Sequence, residues 1–218
     1  MKEDDMDLAI IGTGNVGAAL GGRWAASGRH QVTFGTREPG SEKIRALIDR
    51  TGGEARAASA PAAAAGAQVV VLATPWSATE EIIGSLGDLS GKIVVDCTNP
   101  LTPDLSGLAV GPETSGGELV ARWATGARVV KAFNTTGSGN MSDSGYGSER
   151  LAMLLCGDDA EAKTAVAGLA EELGFEAVDA GPLGRSRQLE QLAVLWIALA
   201  YQQDLGMDFG FALLRRPT

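Results

Sequence analysis

Three glycines in the run Gly12-Thr13-Gly14-Asn15-Val16-Gly17 have the spacing of a phosphate-binding turn. In such a turn the first glycine permits a sharp bend, the second lets the backbone approach a pyrophosphate, and the third lets the helix pack closely on the strand. The N–H groups and partial positive charge of the helix start then attract the anion. This pattern predicts dinucleotide binding. The alternative is a glycine-rich turn that binds no ligand.

The residues after the second predicted strand indicate whether the coenzyme is NAD(H) or NADP(H). An NAD site usually carries an Asp or Glu here to hold the ribose hydroxyls, whereas this chain has Gly35-Thr36-Arg37. A threonine hydroxyl and a guanidinium bind the 2′-phosphate that a carboxylate would repel. The sequence therefore predicts NADP(H) rather than NAD(H). The alternative is that Arg37 is a solvated loop residue and Glu38 reaches the ribose.

The elements that position these residues alternate between strand and helix. Apolar runs at 8–11, 30–34, 68–73, 92–96 and 128–133 predict strands, since continuous apolarity is typical of parallel strands buried on both faces. Helical segments between them predict an α/β protein with a Rossmann-type, doubly wound, mostly parallel sheet. We expect an NADP-binding domain over 1–140 and a small C-terminal strand and helix extension over 141–218, packed on the same sheet.

Ligands in such sheets bind outside the carboxyl ends of the strands. The loops Ala73–Trp76 and Asn99–Leu101 fall there, so we assign both to the cofactor floor; the alternative is that their prolines only begin a loop. Polar residues and glycines at 134–140 also follow a strand and predict a site. The segment as far as Gly147 predicts a mobile loop that could act as a lid, with a plain surface linker as the alternative.

Charge and cysteine content exclude several other classes of function. A net charge of −9 argues against a nucleic-acid partner. The acidic start, Met1 to Asp5, is unlike a signal peptide, and no apolar run is long enough to span a membrane. Cys97 and Cys156 are predicted to be buried free thiols, typical of a reducing, cytoplasmic location. With His30 as the single histidine, no metal site is expected.

No acid–base constellation stands out, so we predict no catalytic side chain. Hydride transfer between two planar rings needs none, because the cofactors carry the chemistry and the protein orients them. A carbonyl reductase would need a proton donor, for which Tyr146 is a weak candidate. Lys131 lies within a strand, where a pairing charge or a position at the edge of the core is expected. Arg185 and Arg187 are either cations for an anionic cofactor tail or surface arginines.

Several motifs resemble one family when they are taken together. GTGNVG, TR after the second strand, KAFNT, LLCGDD and DAGPL followed by SR are similar to the F420-dependent NADP oxidoreductases, over nearly the whole chain. The same module resembles the cytoplasmic domain of the STEAP metalloreductases. The resemblance implies an NADP-dependent oxidoreductase that passes hydride between NADP(H) and a deazaflavin, coenzyme F420, with FMN or FAD as less favoured partners.

The resemblance also implies roles for individual residues. Thr13 to Val16 would hold the pyrophosphate, Thr36 and Arg37 the 2′-phosphate, and the residues 73–75 and 134–137 would lie near the nicotinamide. After KAFNT the archaeal reductases have an apolar, proline-bearing loop, whereas this chain continues Thr136-Gly137-Ser138-Gly139, so the ring pocket could accept a different partner. The full set of candidate cofactor-binding residues is Gly12, Thr13, Gly14, Asn15, Val16, Gly17, Thr36, Arg37, Ala73, Thr74, Pro75, Asn99, Pro100, Asn134, Thr135, Thr136 and Gly137.

Two other functions stay open at the level of the sequence. One is an NADPH-dependent reductase of a small imine or carbonyl substrate, although such relatives usually carry a large helical domain for which too few residues remain. The other is a non-catalytic NADP(H)-sensing protein. The last predicted helix places Leu189, Leu192, Ala193, Trp196, Ile197 and Ala200 at helical spacing. Residues beyond its packed face could form a homodimer contact.

Overall fold

A computed structural model describes residues 5–52 and 55–216 of the chain, and strands and helices alternate through most of it. The strands are β1 Asp7–Ile11, β2 Gln31–Gly35, β3 Ala55–Ala58, β4 Val69–Leu72, β5 Ile93–Asp96, β6 Arg128–Lys131, β7 Gly145–Tyr146, β8 Glu149–Arg150, β9 Ala152–Gly157 and β10 Glu176–Asp179. The helices are α1 Asn15–Ala26, α2 Glu42–Asp49, α3 Ala60–Gly66, α4 Trp76–Ser85, α5 Gly116–Trp123, α6 Ser138–Ser142, α7 Ala160–Glu172 and α8 Ser186–Tyr201.

Eight strands form one sheet in the order β10-β9-β6-β5-β4-β1-β2-β3. Six neighbouring strands of this sheet, β3, β2, β1, β4, β5 and β6, are all parallel. Ile11 at the end of β1 lies opposite both Gly35 of β2 and Leu72 of β4. The carboxyl ends of these six strands therefore lie along one edge of the sheet, which we call the carboxyl edge. This is where the candidate residues of the glycine turn and the strand ends lie.

The sheet is buried on both faces because its central strands are apolar without alternation. Leu8 to Ile11 and Val69 to Leu72 are all at most 1% exposed. One apolar cluster joins the sheet to α1 and α7, and a second joins its other face to α3, α4 and α5. These two layers confirm the predicted doubly wound, mostly parallel α/β fold.

The C-terminal half bears on Arg185 and Arg187, which the sequence left as either cations for a cofactor tail or surface arginines. β9 pairs with β6 in the antiparallel direction, and β10 pairs with β9 in parallel. The carboxyl end of β10 therefore lies at the edge opposite the glycine turn, which removes the premise for placing Arg185 beside the cofactor. In addition, Arg187 donates two hydrogen bonds to Glu118, at 2.8 and 2.7 Å, so its guanidinium is already committed.

The predicted mobile lid after β6 is wrong. Residues 138–142 form the short helix α6, which packs against α1, and β7 and β8 form a hairpin. The amide of Asn140 donates to the Thr136 hydroxyl and to the Phe209 carbonyl, each at 2.8 Å, and accepts from the Tyr146 hydroxyl at 2.8 Å. Two of these bonds reach other segments, the β7–β8 hairpin and the C-terminal tail, and hold this region as a packed element, since a buried amide needs partners for both its donors and its acceptor.

Candidate active site

Two glycines of the turn after β1 are required by the protein itself. Gly12 has φ +105°, and a Cβ there would lie 2.3 Å from the Ala73 carbonyl oxygen. A Cβ on Gly17 would lie 1.9 Å from the Gly12 carbonyl oxygen. Gly12 therefore permits the bend and the approach of β4, and Gly17 permits α1 to pack on the turn, as expected from the sequence.

Gly14, the middle glycine of the turn, is different, because no contact or backbone conformation within the protein requires a glycine there. Gly14 has φ −76°, which any residue adopts, and a Cβ there would meet no atom within 4 Å. It precedes α1, whose first turn has no side-chain cap. The first N–H groups of α1 therefore need a partner from outside the helix. An uncovered helix start beneath a bare backbone fits the close approach of a pyrophosphate.

Thr36 and Arg37 follow β2 at the carboxyl edge. The Thr36 N–H donates to the Ala58 carbonyl at 3.0 Å, which fixes the turn, and its hydroxyl accepts weakly from the Glu38 N–H at 3.4 Å. Arg37 and Glu38 are both exposed. The geometry thus leaves the guanidinium open to a phosphate and leaves open the alternative that Glu38 reaches a ribose.

A cavity of about 520 Å³, which we call the ring cavity, opens between the carboxyl ends of β1, β4 and β5. It brings together three predicted site segments, from α1, the loop after β4 and the loop after β5. Its lining is uncharged and consists of Val16, Ala73, Thr74, Pro75, Trp76, Ser77, Cys97, Thr98, Asn99, Leu101, Thr102, Pro103 and Leu105. A planar, largely apolar ring suits such a lining.

Leu105 and several other lining residues were absent from the candidates predicted from the sequence, whereas Trp76 lies in a loop already assigned to the cofactor floor. Trp76 packs against Trp123 in a tilted arrangement, with the ring centroids 5.3 Å apart. Leu105 is 42% exposed and has φ +59°, an uncommon conformation for a leucine. It stands in a loop closed by a bridge between Leu101 and Leu108. The exposure and the unfavourable backbone conformation of Leu105 mark this loop as part of a site. Both features appear only in the folded structure, so the sequence could not reveal them.

Asn99 and Asn134 join the ends of β5 and β6. Asn99 Nδ2 donates to the Asn134 carbonyl at 2.9 Å, so Asn99 Oδ1 must face Asn134, where it accepts from Nδ2 at 3.0 Å. This arrangement fixes Asn134 Oδ1 as an acceptor, and it has no partner among the described residues. A buried acceptor without a donor indicates a partner from outside the chain, because leaving it unpaired is costly.

The other predicted site residues lie around the ring cavity rather than in its lining. Asn134 and Thr135 are buried, and Pro100 is buried with its ring against Gly116. Gly137 lies beneath Trp196, since a Cβ there would be 2.7 Å from the indole. Thr136 accepts the bond from Asn140. These contacts give Gly137 and Thr136 a packing role in addition to any contact with a ligand.

A buried ionic network lies directly below the Thr98–Asn99 turn. Lys131 Nζ contacts Asp96 Oδ2 at 2.9 Å, Glu190 Oε1 at 2.8 Å and the Thr98 carbonyl at 2.6 Å. Asp96 Oδ1 accepts from the N–H and the hydroxyl of Thr98. All three polar groups of Thr98 are thus held by this pair. The network confirms the pairing role expected for Lys131 and fixes the floor of the ring cavity.

Glu190 reaches this network from α8, far away in the sequence. Its carboxylate also accepts from the N–H groups of Gly116 and Gly117, each at 3.0 Å, at the start of α5. The positive end of α5 therefore offsets part of the second buried negative charge. Both glycines are needed here, because a Cβ on either would press against Pro100, Glu190 or Ser186.

The cysteines and the tyrosine are not arranged for acid–base or nucleophilic chemistry. Both thiols are free and buried, as predicted. Burial, followed by the charge of Asp96, raises the pKa of Cys97, and burial raises the pKa of Cys156 to about 12, so both stay protonated and inert. Burial also raises the pKa of Tyr146, whose hydroxyl is bound to Asn140. Within residues 5–52 and 55–216, no three metal-ligating side chains cluster.

A second cavity of about 520 Å³ crosses the outer face of α1, between α2 and α6. We call it the α1 groove. It is lined by Asn15, Ala18, Ala19, Gly22, Arg23, Ala26, Leu47, Arg50, Thr51, Ser138, Gly139 and Ser142. The Arg23 guanidinium donates to the Ser142 carbonyl and so ties α1 to α6. Unlike the ring cavity, this groove carries two cations.

Comparisons with known proteins agree with this architecture. Residues 7–100 match the family model described as NADP oxidoreductase, coenzyme F420-dependent. The F420-dependent NADP reductase of Methanothermobacter marburgensis is 30% identical over 208 residues, which cover 89% of this chain and 92% of that protein. Metalloreductase STEAP3 of Rattus norvegicus is 28% identical over 186 residues, covering 85% of this chain but 36% of that protein.

One solved structure extends the similarity to the whole fold. The crystal structure of a putative F420-dependent NADP-reductase from Arthrobacter sp. FB24 superposes with a TM-score of 0.86 at 32% identity. The match covers 96% of this chain and 100% of that chain. Among the helices in the described part of the chain, none is long and apolar enough to cross a membrane.

Proposed function

The chain belongs to the family of F420-dependent NADP oxidoreductases, and we propose that it transfers hydride between NADP(H) and the deazaflavin coenzyme F420. The observation that carries the proposal is Gly14. The fold explains Gly12 and Gly17 by close contacts, but neither contact nor conformation explains a glycine at position 14. A bound pyrophosphate does explain it, because the phosphate oxygens need to approach the bare backbone.

NADP(H) is assigned to the carboxyl edge of the sheet. The turn from Gly12 to Gly17 would hold the pyrophosphate, and Thr36 with Arg37 would hold the 2′-phosphate. Ala73, Thr74 and Pro75 would lie beneath the nicotinamide half, together with Asn99, Pro100 and the segment Asn134–Gly137. The unpaired Oδ1 of Asn134 supports this assignment, since the carboxamide of a nicotinamide offers an N–H donor.

The reaction places few chemical demands on the protein. The two bound rings supply the hydride donor and acceptor, so the side chains need only bind, orient and exclude water. The uncharged ring cavity suits this task, with Trp76 as an apolar wall and Thr74 and Asn99 as polar groups that orient a ring. The inert cysteines and the committed Tyr146 support a reaction without a protein acid or base.

Three further properties belong to the same proposal. Residues 1–140 form the NADP-binding domain, and 141–218 form an extension on the same sheet. Two copies associate through the apolar residues at the end of α8 and after it, among them Leu195, Tyr201 and Leu205, which are 50, 61 and 56% exposed. The protein works in the cytoplasm, which the two free buried thiols support.

A stopped-flow experiment tests the proposed function. Purified protein and NADPH are mixed with oxidised F420 or, in parallel, with FMN, and the visible band of each acceptor is followed. We expect bleaching of F420 in a single turnover, with FMN reduced far more slowly. Binding of NADPH without bleaching of either acceptor would reject the reaction while leaving the fold intact.

A further inference from the structure

The α1 groove carries positive charge in a protein whose net charge is −9. Arg23 lines it from α1 and the exposed Arg50 lines it from the end of α2. Of the residues that the structure describes, none that lines the groove has a carboxylate. Guanidinium groups bind phosphates and carboxylates through pairs of charge-assisted hydrogen bonds. The groove is therefore complementary to an anion.

The floor of the groove leaves room for an extended ligand. Ala18, Ala19 and Gly22 keep this face of α1 low, and a Cβ on Gly22 or on Gly139 would meet no atom within 4 Å. The polar side chains of Ser138 and Thr51 stand at its sides. A flexible chain that carries anionic groups fits this shape better than a flat ring does.

The groove and the ring cavity adjoin at the first turn of α1. Asn15 lines the groove, and its neighbour Val16 lines the ring cavity. On the other side, Ser138 and Gly139 in the groove directly follow Gly137 of the candidate cofactor loop. A single molecule can therefore place a ring in the uncharged cavity and extend a tail past Ser138 and Gly139 into the groove, which leaves the turn at Asn15 to the pyrophosphate of NADP(H).

We propose that the α1 groove binds the anionic tail of the hydride acceptor, with Arg23 and Arg50 as its cations. A deazaflavin coenzyme of the F420 type carries a phosphate and carboxylates on such a tail, so the inference rests on the proposed function. The groove takes over the role considered for Arg185 and Arg187, which the direction of β10 and the bond to Glu118 argue against.

The same chemistry could come from a phosphate of NADP(H), and the test has to separate the two sources. The experiment measures affinity for F420 and for its tail-less counterpart, the deazaflavin that ends at the ribityl chain, in the presence of NADP⁺. It uses wild type, Arg50→Gln and Arg23→Gln/Arg50→Gln, with Arg122→Gln on the exposed face of α5 as the matched control. NADPH affinity and thermal unfolding are measured for each variant.

We expect Arg50→Gln to raise the Kd of F420 about tenfold, the double variant to raise it further, and the control to leave it unchanged. The Kd of the tail-less compound and of NADPH should stay the same in every variant. Rising salt should weaken F420 binding in wild type and have less effect in the double variant. The single variant Arg50→Gln is the decisive one, because replacing Arg23 also removes the contact that ties α1 to α6.

Other outcomes overturn the inference in distinct ways. Equal Kd values of wild type for F420 and the tail-less compound would mean that the groove makes no tail contact. Weaker NADPH binding with unchanged F420 binding would assign the groove to the coenzyme phosphate. If both deazaflavins are reduced at the same kcat/KM, the proposed function stands and the inference falls. If both bind but neither is reduced, the proposed function fails separately.

Discussion

The ammonium group of Lys131 lies 2.8 Å from the carboxylate of Glu190, and both side chains are fully excluded from solvent. Burial alone would lower the pKa of Lys131, but the charges of Asp96 and Glu190 raise it, so the lysine stays protonated. The contact joins α8 to the strand that ends at the candidate site. It therefore couples the C-terminal helix to the floor of the ring cavity.

Replacing Lys131 with methionine should cost about 3–5 kcal/mol of unfolding free energy, because it leaves two buried carboxylates without their cation. Urea unfolding measures the loss. Lys163→Met is the matched control, since Lys163 pairs with Asp179, whose side chain is 55% exposed, and exposed pairs contribute about 1 kcal/mol or less. Equal losses in the two variants would contradict the role assigned to the network.

Gly14→Ala and Gly17→Ala should separate ligand binding from folding. Gly14→Ala should leave the free energy of unfolding within about 0.5 kcal/mol of wild type and raise the Kd of NADPH at least about tenfold. Gly17→Ala should destabilise the fold by about 1–3 kcal/mol through overlap with the Gly12 carbonyl. Calorimetric titration and thermal unfolding measure both effects. Unchanged NADPH affinity in Gly14→Ala would remove the main support for the site.

Arg37→Ala should weaken NADPH by roughly 10- to 100-fold and leave NADH unchanged, because a charge-assisted bond contributes about 1.5–3 kcal/mol. Glu38→Ala is the neighbouring control and should change neither affinity. Fluorescence titration with both coenzymes measures the ratio. If Glu38→Ala weakens NADH while Arg37→Ala has no effect, the glutamate holds the ribose and the preference for NADP is wrong.

The pair Glu118–Arg187 should stabilise the protein only above acidic pH. The hydrogen bond from Arg187, reinforced by Ser115, lowers the pKa of Glu118 in the folded state. Its contribution is therefore full above the unfolded pKa of about 4.3 and is lost as the pH falls through the lower folded pKa. Because the side chains are 21 and 38% exposed, the contribution should be about 0.5–1 kcal/mol.

Glu118→Gln tests this pH dependence, because glutamine keeps the shape and the bond to Ser115. Urea unfolding should find the variant less stable than wild type at about pH 7, and equally stable once the pH is well below the folded pKa of Glu118. A difference that persists unchanged at low pH would show that packing, and not charge, explains the loss.

The sequence predicted the parallel half of the sheet and the residues at its carboxyl edge. Continuous apolar runs and punctuating glycines are local signals, so β1, β2, β4, β5 and β6 could be placed to within one or two residues. The direction of β9 has no local signal, because a strand of the same composition pairs in either direction. For that reason the sequence alone could not decide at which edge of the sheet Arg185 lies.

The polar segment after β6 shows a second limit. Glycine, serine and asparagine at 134–140 resemble a loop in composition, yet Asn140 is 3% exposed and ties this segment to two others. Those partners come from the C-terminal tail and the β7–β8 hairpin, so only the folded chain brings them together. The partners of Lys131 were hidden for the same reason, since Asp96 and Glu190 are far from it in sequence.

Direct transfer of hydrogen from NADPH to F420 is the central claim. NADPH that carries deuterium at both C4 positions is incubated with the protein and oxidised F420, and the reduced F420 is analysed by mass spectrometry. The account predicts a single deuterium in the reduced ring, and slower bleaching than with unlabelled NADPH. Reduced F420 that carries hydrogen from solvent, or no reduction despite NADPH binding, would contradict it.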